Sequence, residues 1–149
     1  MLLPNKFKKA GWIILVISLI AGILFLAGNA PAFLNAKVFS IFNEDAANGF
    51  SGIIENNITD ELISVFIIIG GLIVAFSREK EEDEGISRLR VNSLIWAIVV
   101  NYTILLIAVV FIYDLSFVAI MMYNMFTSLL LFILKFNLTL KFKFKPDLE

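Results

Sequence analysis

The chain has 149 residues, of which 60% are hydrophobic and 17% are charged, and its mean hydropathy is +0.91. A water-soluble domain of this length cannot bury so much apolar surface, so the composition predicts that lipid surrounds much of the chain. The sequence contains no cysteine and no histidine, which excludes disulfides, thiol nucleophiles and imidazole metal ligands. Its formal net charge of −1 provides no field that would attract nucleic acid.

Four apolar runs with uncharged interiors predict four transmembrane helices, at about residues 10–28, 61–79, 89–113 and 116–136. A bilayer core of about 30 Å needs about 20 helical residues, and the runs are of that order. Residues 29–61 are then an outside loop, residues 80–88 a cytoplasmic hairpin and residues 137–149 a basic C-terminal tail. The predicted fold class is all-α membrane, with an antiparallel bundle of four transmembrane helices in a single integral membrane domain over residues 1–149.

The start of the chain also has features of a signal peptide. Lys8-Lys9, an apolar stretch and Ala30-Pro31-Ala32 follow the order of a basic region, an apolar region and a cleavage site. The apolar stretch is long for a signal peptide, so we expect the first span to be a retained anchor.

The outside loop begins with apolar residues at helical spacing, and Pro31 could occupy the first turn of a helix. This pattern predicts a short amphipathic helix, either on the outer membrane face or folded over the mouth of the bundle. The loop then serves as a packing lid or as a binding surface. At its end, Thr59 or Asp60 is expected to cap the second span. The apolar residues are Phe33, Leu34, Val38, Phe39, Ile41 and Phe42.

The hairpin before the third span holds the densest run of charges in the sequence. Such runs are usually solvated, and here the charges would also stop two spans and fix their topology. One alternative is a docking patch for a cytoplasmic partner. Another is a divalent-cation site, but the EF-hand spacing of oxygen ligands is absent. We expect no catalytic residue, metal or cofactor. The candidate patch is Arg78, Glu79, Lys80, Glu81, Glu82, Asp83, Glu84, Arg88 and Arg90.

Basic residues fall on one side of the predicted membrane. With four spans, only Lys37 lies on the opposite side, and every other lysine and arginine lies before span one, in the hairpin or at the span ends beside it, or at the end of span four and beyond. The positive-inside rule then places both termini and the hairpin in the cytoplasm. The chain is therefore predicted to be an integral protein of the bacterial inner membrane.

Neutral polar residues cluster in spans three and four. With a turn at residues 113–116, Asn101 would lie level with Ser128, and Tyr102 with Thr127, if the two spans are antiparallel neighbours. Tyr102 lies mid-span and is expected to form a hydrogen bond inside the bundle. The pattern predicts an interhelical hydrogen-bonded seam, and the alternative is a polar pocket or conducting path. The residues are Asn101, Tyr102, Tyr123, Asn124, Thr127 and Ser128.

Small residues four apart predict close helix packing in spans one and two, at Ser18 and Gly22 and at Gly71 and Ala75. Either pair could instead form a homo-oligomer interface.

The C-terminal tail alternates apolar and polar residues from Phe136 to Lys145, a period typical of a strand. A lone strand leaves its backbone unpaired, so it would need another chain or the anionic inner leaflet. We expect instead that the fourth helix continues and then frays, with its lysines near lipid headgroups.

The order Arg78-Glu79-Lys80, acidic run, Arg90 and then Asn101-Tyr102 resembles that of small four-helix bacterial inner-membrane proteins with no assigned activity. The resemblance covers about the C-terminal half, and it implies a fold and a location but no activity.

The expected function is that of a non-enzymatic membrane protein, a sensor, regulator or accessory subunit. Its partners would be the lipid bilayer and a protein bound at the hairpin or the tail. The first alternative is a small oligomeric channel or transporter for a neutral solute. A lipid-acting metal enzyme is disfavoured, because no acidic or basic residue lies within a span interior.

Overall fold

The computed structural model describes residues 2–28, 35–40 and 52–144. The chain divides into two compact units, Met1–Leu15 with Ile67–Glu149, and Val16–Phe66. The described elements, in chain order, are α1 Lys6–Leu26, β1 Asn35–Ser40, β2 Gly52–Asn57, α2 Thr59–Phe76, α3 Glu84–Phe111 and α4 Asp114–Phe144.

Each of these four helices is long and apolar enough to span a membrane. At 1.5 Å per residue their lengths are about 32, 27, 42 and 46 Å, against a bilayer core of about 30 Å. Large apolar side chains remain exposed along them, including Ile17, Leu106 and Met122, each more than 60% accessible. The four spanning-length helices that the sequence predicts are therefore confirmed.

The outside loop contains strands where the sequence predicted a helix. β1 pairs with β2 in an antiparallel two-stranded sheet, with Val38 opposite Ile54 and Phe39 opposite Ile53. The amphipathic-helix prediction is wrong for residues 35–40, because β-branched and aromatic residues favour a strand once a second strand supplies the backbone hydrogen bonds. The rest of that prediction falls on residues 29–34, 41 and 42, which lie outside the described residues.

α2 is capped by a residue that the sequence analysis did not select. The Asn57 Oδ1 atom accepts hydrogen bonds from the Thr59 backbone N–H at 3.0 Å and from the Thr59 hydroxyl at 2.5 Å. Thr59 therefore donates to the capping side chain. The prediction that Thr59 or Asp60 is the N-cap of this helix is wrong. Because β2 ends at Asn57, its short side chain reaches a helix N–H that has no partner in the helix.

Glycines of α2 allow close packing in the unit formed by residues 1–15 and 67–149. A Cβ atom added to Gly70 would lie 2.8 Å from the Leu15 backbone nitrogen, so the backbones of α1 and α2 are in direct proximity there. A Cβ atom on Gly71 would lie 2.5 Å from Leu129 Cδ2, and Ala75 is 2% exposed. Gly71 and Ala75 therefore pack within the chain itself.

α3 and α4 are joined by Ile112 and Tyr113 alone. The connection is fixed at both residues, because the Ile112 N–H donates to the Ala108 carbonyl at 2.9 Å and the Tyr113 hydroxyl donates to the Val110 carbonyl at 2.8 Å. The turn thus precedes the predicted centre of the connection by about two residues.

α4 continues without a break to Phe144, which includes most of the predicted tail. Of the alternatives for this segment, the continued helix holds over residues 137–144 and the strand does not. A helix satisfies its own backbone hydrogen bonds, whereas a strand at residues 137–144 would need a pairing strand. The described part of the chain provides none there. Residues 145–149 lie outside the described part.

Candidate functional site

The N-terminal segment is joined to the segment after α2 by backbone hydrogen bonds. The Leu3 N–H donates to the Phe76 carbonyl at 2.8 Å, and the Arg78 N–H donates to the Leu3 carbonyl at 2.8 Å. The Asn5 side-chain amide donates to the Arg78 carbonyl at 2.7 Å. These bonds hold the start of the chain against the hairpin between α2 and α3.

Two ion pairs lie beneath this hairpin and form the buried ion-pair cluster of Lys8, Glu79, Glu82 and Arg90. Lys8 pairs with Glu79, and both side chains are 14% exposed. Arg90 Nη1 lies 2.9 Å from Glu82 Oε1, with side chains 9% and 19% exposed. Charges this deeply buried require partners, because an unpaired charge would carry a desolvation cost of several kcal/mol.

Phe136 of α4 forms one wall of the buried ion-pair cluster. The Arg90 Cζ atom lies 5.1 Å from the Phe136 ring centroid, and Lys8 Nζ lies 6.0 Å from it. Phe132 stacks on Phe136 with centroids 6.0 Å apart, and Phe76 follows at 6.5 Å from Phe132. The ring faces therefore supply the cations with a favourable electrostatic environment that reaches into the core.

The cluster is not fully hydrogen-bonded. Arg90 Nη2 donates to the Ser77 carbonyl at 3.2 Å and to Glu82 Oε2 at 3.4 Å. Among the described residues, Arg90 Nε and the Ser93 hydroxyl have no hydrogen-bond partner although both are buried. Each group left without a partner in this way costs about 1–3 kcal/mol.

The hairpin backbone is fixed by acidic side chains. Glu82 Oε2 accepts from the Glu79 N–H at 3.0 Å, and Asp83 Oδ1 accepts from the Ile86 N–H at 2.7 Å as the N-cap of α3. The loop from Ser77 to Asp83 is thereby fixed by Arg90 at Ser77, by Glu82 at Glu79 and by the N-cap at Asp83.

The structure divides the nine residues of the predicted docking patch into two groups. Glu79, Glu82 and Arg90 belong to the buried ion-pair cluster. The exposed group is Arg78, Lys80, Glu81, Asp83, Glu84 and Arg88. Within it, Arg88 pairs with Glu84 at 2.7 Å, and these two side chains are 75% and 82% exposed.

Lys8 and Phe136 were not predicted as parts of this site. No local pattern marks Lys8, because it is one of three lysines before an apolar run and its partner Glu79 lies 71 residues away. Phe136 was assigned only to the alternating tail, and its place beside Arg90 depends on contacts between distant parts of the chain.

The polar seam of spans three and four reduces to one pair in the structure, the amide pair of Asn101 and Asn124. Each side-chain amide donates to the carbonyl oxygen of the other, at 3.2 Å and 3.1 Å. Asn101 is 6% exposed. The pairing differs by one helical turn from the predicted level of Asn101 with Ser128, because the connection lies at Ile112–Tyr113 and brings the two asparagines to equal depth.

The other predicted seam residues, in the described part of the chain, form no hydrogen bond with the amide pair. Tyr102 is 65% exposed, so the prediction that it forms a hydrogen bond inside the bundle is wrong. It follows Asn101 directly, and a helix rotates adjacent residues by about 100°, which turns Tyr102 outward. Tyr123 is 50% exposed, Ser128 is half-buried, and the Thr127 hydroxyl donates to the Tyr123 carbonyl within α4 at 3.1 Å.

Replacing either member of the amide pair is expected to destabilise the chain. Asn101→Leu leaves the Asn124 amide without its partner in an apolar setting, and we expect a loss of about 1–2 kcal/mol. Asn101→Leu with Asn124→Leu removes both polar groups, so its loss should be smaller than the sum of the two single losses. The free energy of unfolding in detergent micelles is measured for the wild type, the two single variants and the double variant. Strictly additive losses would contradict the pairing.

Among the described residues, no group of three or more acidic side chains is placed to hold a metal ion. Comparison of the chain with protein-family models, with curated proteins and with solved structures found no match.

Proposed function

We propose that the chain is a non-enzymatic integral membrane protein that binds a protein partner through the hairpin between α2 and α3, at its cytoplasmic end. In this account its four helices form an antiparallel bundle in the bacterial inner membrane, and the chain acts as a sensor, regulator or accessory subunit. The contacts at the hairpin supply the support for both the topology and the binding surface.

The proposed topology rests on which segments meet. The start of α1, the hairpin and the part of α4 around Phe136 lie in contact through Lys8, Arg90 and their partners. An even number of spans with antiparallel neighbours brings both termini and the middle hairpin to one membrane face in this way. That face carries nearly all the lysines and arginines, which the positive-inside rule assigns to the cytoplasm.

The observation that carries the proposed binding role is an exposed charged loop on a fixed, buried support. We define the docking surface as Arg78, Lys80, Glu81 and Asp83, all exposed. Apolar residues in place of a buried ion pair are often as stable or more stable. The retention of two such pairs beneath the hairpin therefore supports a role in holding the loop in one conformation, and a preorganised loop loses less entropy on binding.

Site-specific photo-crosslinking in native membranes tests this role. A photoreactive residue at Glu81 should give a discrete adduct of defined mass, and the same probe at Lys141 serves as the control because that residue is exposed on α4. The change Lys80→Glu should weaken the adduct from position 81, since it reverses one charge of the docking surface. Adducts of equal yield from positions 81 and 141, or none from either, would contradict the proposal.

The amide pair is evidence against the alternative of an oligomeric channel. Asn101 and Asn124 each donate to the other's carbonyl oxygen, and Asn101 is buried, which supports a seam between two helices over a lined path. We therefore expect liposomes with the wild-type chain to show the same solute leak as liposomes with the Asn101→Leu, Asn124→Leu variant. A leak that the double variant abolishes would instead support the channel.

A further inference from the structure

A groove of about 270 Å³ lies on the exposed side of α3, one to two turns into the helix. Its lining residues are Ser87, Arg88, Val91 and Asn92, and all four are exposed. We call it the α3 groove. It offers a guanidinium, a hydroxyl and an amide, together with an apolar floor at Val91, and this combination is suited to an amphipathic anion.

The level of the α3 groove relative to lipid follows from Trp96. Lys135 Nζ lies 5.1 Å from the Trp96 ring centroid, and Trp96 is 41% exposed. An exposed tryptophan beside a lysine at the end of an apolar run is typical of the membrane–water interface. Asn92 and Arg88 precede Trp96 by one and two helical turns, which is about 6 and 12 Å along the axis. The groove therefore lies at the depth of lipid headgroups.

An apolar track continues from the α3 groove toward the membrane. Val91, Ile95 and Val99 follow one another at four-residue intervals along α3 and are 55%, 55% and 59% exposed. A free phosphate would use only the polar end of this arrangement. A phospholipid would place its phosphate at the polar end and an acyl chain along the track.

We propose that the α3 groove binds the headgroup phosphate of an anionic phospholipid, with Arg88 as its charge partner and Ser87 and Asn92 as hydrogen-bond donors. Within the described part of the chain, Arg88 is held only by an exposed pair with Glu84, and such pairs are weak. The lipid phosphate would therefore replace Glu84 as the ion-pair partner of the Arg88 guanidinium. The inference rests on the proposed insertion of α3 in a bilayer, but on neither the partner nor the direction of insertion.

Fluorescence quenching by brominated lipids tests the site on the full chain in nanodiscs. The change Trp12→Phe leaves Trp96 as the sole tryptophan, because the sequence contains two. The discs contain phosphatidylcholine with an equal fraction of brominated phosphatidylglycerol or brominated phosphatidylcholine. We expect an association constant at Trp96 about fivefold higher for the anionic lipid, the change given by about 1 kcal/mol for one basic side chain near a charged lipid surface.

Matched variants separate a site from general surface charge. Arg88→Gln should reduce the ratio of association constants to about one, whereas Glu84→Gln should preserve or raise it. Arg78→Gln is the control, because it removes the same charge from the hairpin outside the groove. The ratio should also persist in millimolar inorganic phosphate.

Three results would overturn the inference. Equal quenching by the two lipids would show that the groove does not prefer an anion. Equal losses in Arg88→Gln and Arg78→Gln would assign the preference to delocalised charge, and reversal by inorganic phosphate would assign the groove to free phosphate. Any of these would leave the proposed partner and topology untouched, because both leaflets of a nanodisc have the same composition and no partner is present.

Discussion

Arg90→Met is expected to lower the free energy of unfolding by about 3–5 kcal/mol, since it leaves Glu82 partly buried without its counter-charge. The variant also removes the donor to the Ser77 carbonyl and the cation over the Phe136 ring. Reversible unfolding in mixed detergent micelles, followed by helical circular dichroism, measures the loss.

Two controls make the Arg90 result specific. Arg88→Met breaks an ion pair of the same chemistry on the same helix, but that pair is exposed, so the loss should stay within about 1 kcal/mol. Adding Glu82→Gln to Arg90→Met should recover part of the loss, because the isolated charge is then removed. Equal losses for Arg88→Met and Arg90→Met would contradict a buried ion-pair cluster.

Gly70→Ala is expected to destabilise the chain by about 1–3 kcal/mol, although alanine is the better helix former. The added Cβ atom would lie 2.8 Å from the Leu15 backbone nitrogen and 3.1 Å from its Cα atom, so α1 or α2 must shift as a whole. The same micelle unfolding experiment measures the change.

The neighbouring glycine provides the matched control. A Cβ atom on Gly71 would meet Leu129 Cδ2 at 2.5 Å, which is the end of a side chain that can change rotamer. Gly71→Ala should therefore change the free energy of unfolding by less than about 1 kcal/mol, because the gain in helix propensity offsets the repacking. A larger loss for Gly71→Ala than for Gly70→Ala would contradict the close approach of α2 to Leu15.

The four long apolar helices could be predicted because a lipid bilayer would impose a length and a composition that single segments reveal. The strand at residues 35–40 could not, since its partner begins at Gly52 and a local pattern of apolar residues does not show a distant hydrogen-bonding edge. The sequence after Phe136 alternates with a strand period, yet the helix expected there is observed to Phe144, because a strand period without a pairing partner gives way to a helix.

The candidate site was predicted in composition but not in arrangement. The charge run identified the hairpin, yet it could not show that Glu79, Glu82 and Arg90 turn inward, because that depends on Lys8 and Phe136 from distant parts of the chain. The polar seam was predicted as a set of residues, and its register changed by one turn when the connection moved to Ile112–Tyr113. A displacement of a connection by about two residues is enough to select a different partner on the neighbouring helix.

The topology is tested most directly by labelling single cysteines, because the chain contains none of its own. A membrane-impermeant maleimide applied to intact spheroplasts should label Lys37→Cys. It should label Lys9→Cys, Glu81→Cys and Lys141→Cys only after the membrane is opened. Labelling of position 9, 81 or 141 in intact spheroplasts would contradict a four-span chain with both ends and the hairpin in the cytoplasm.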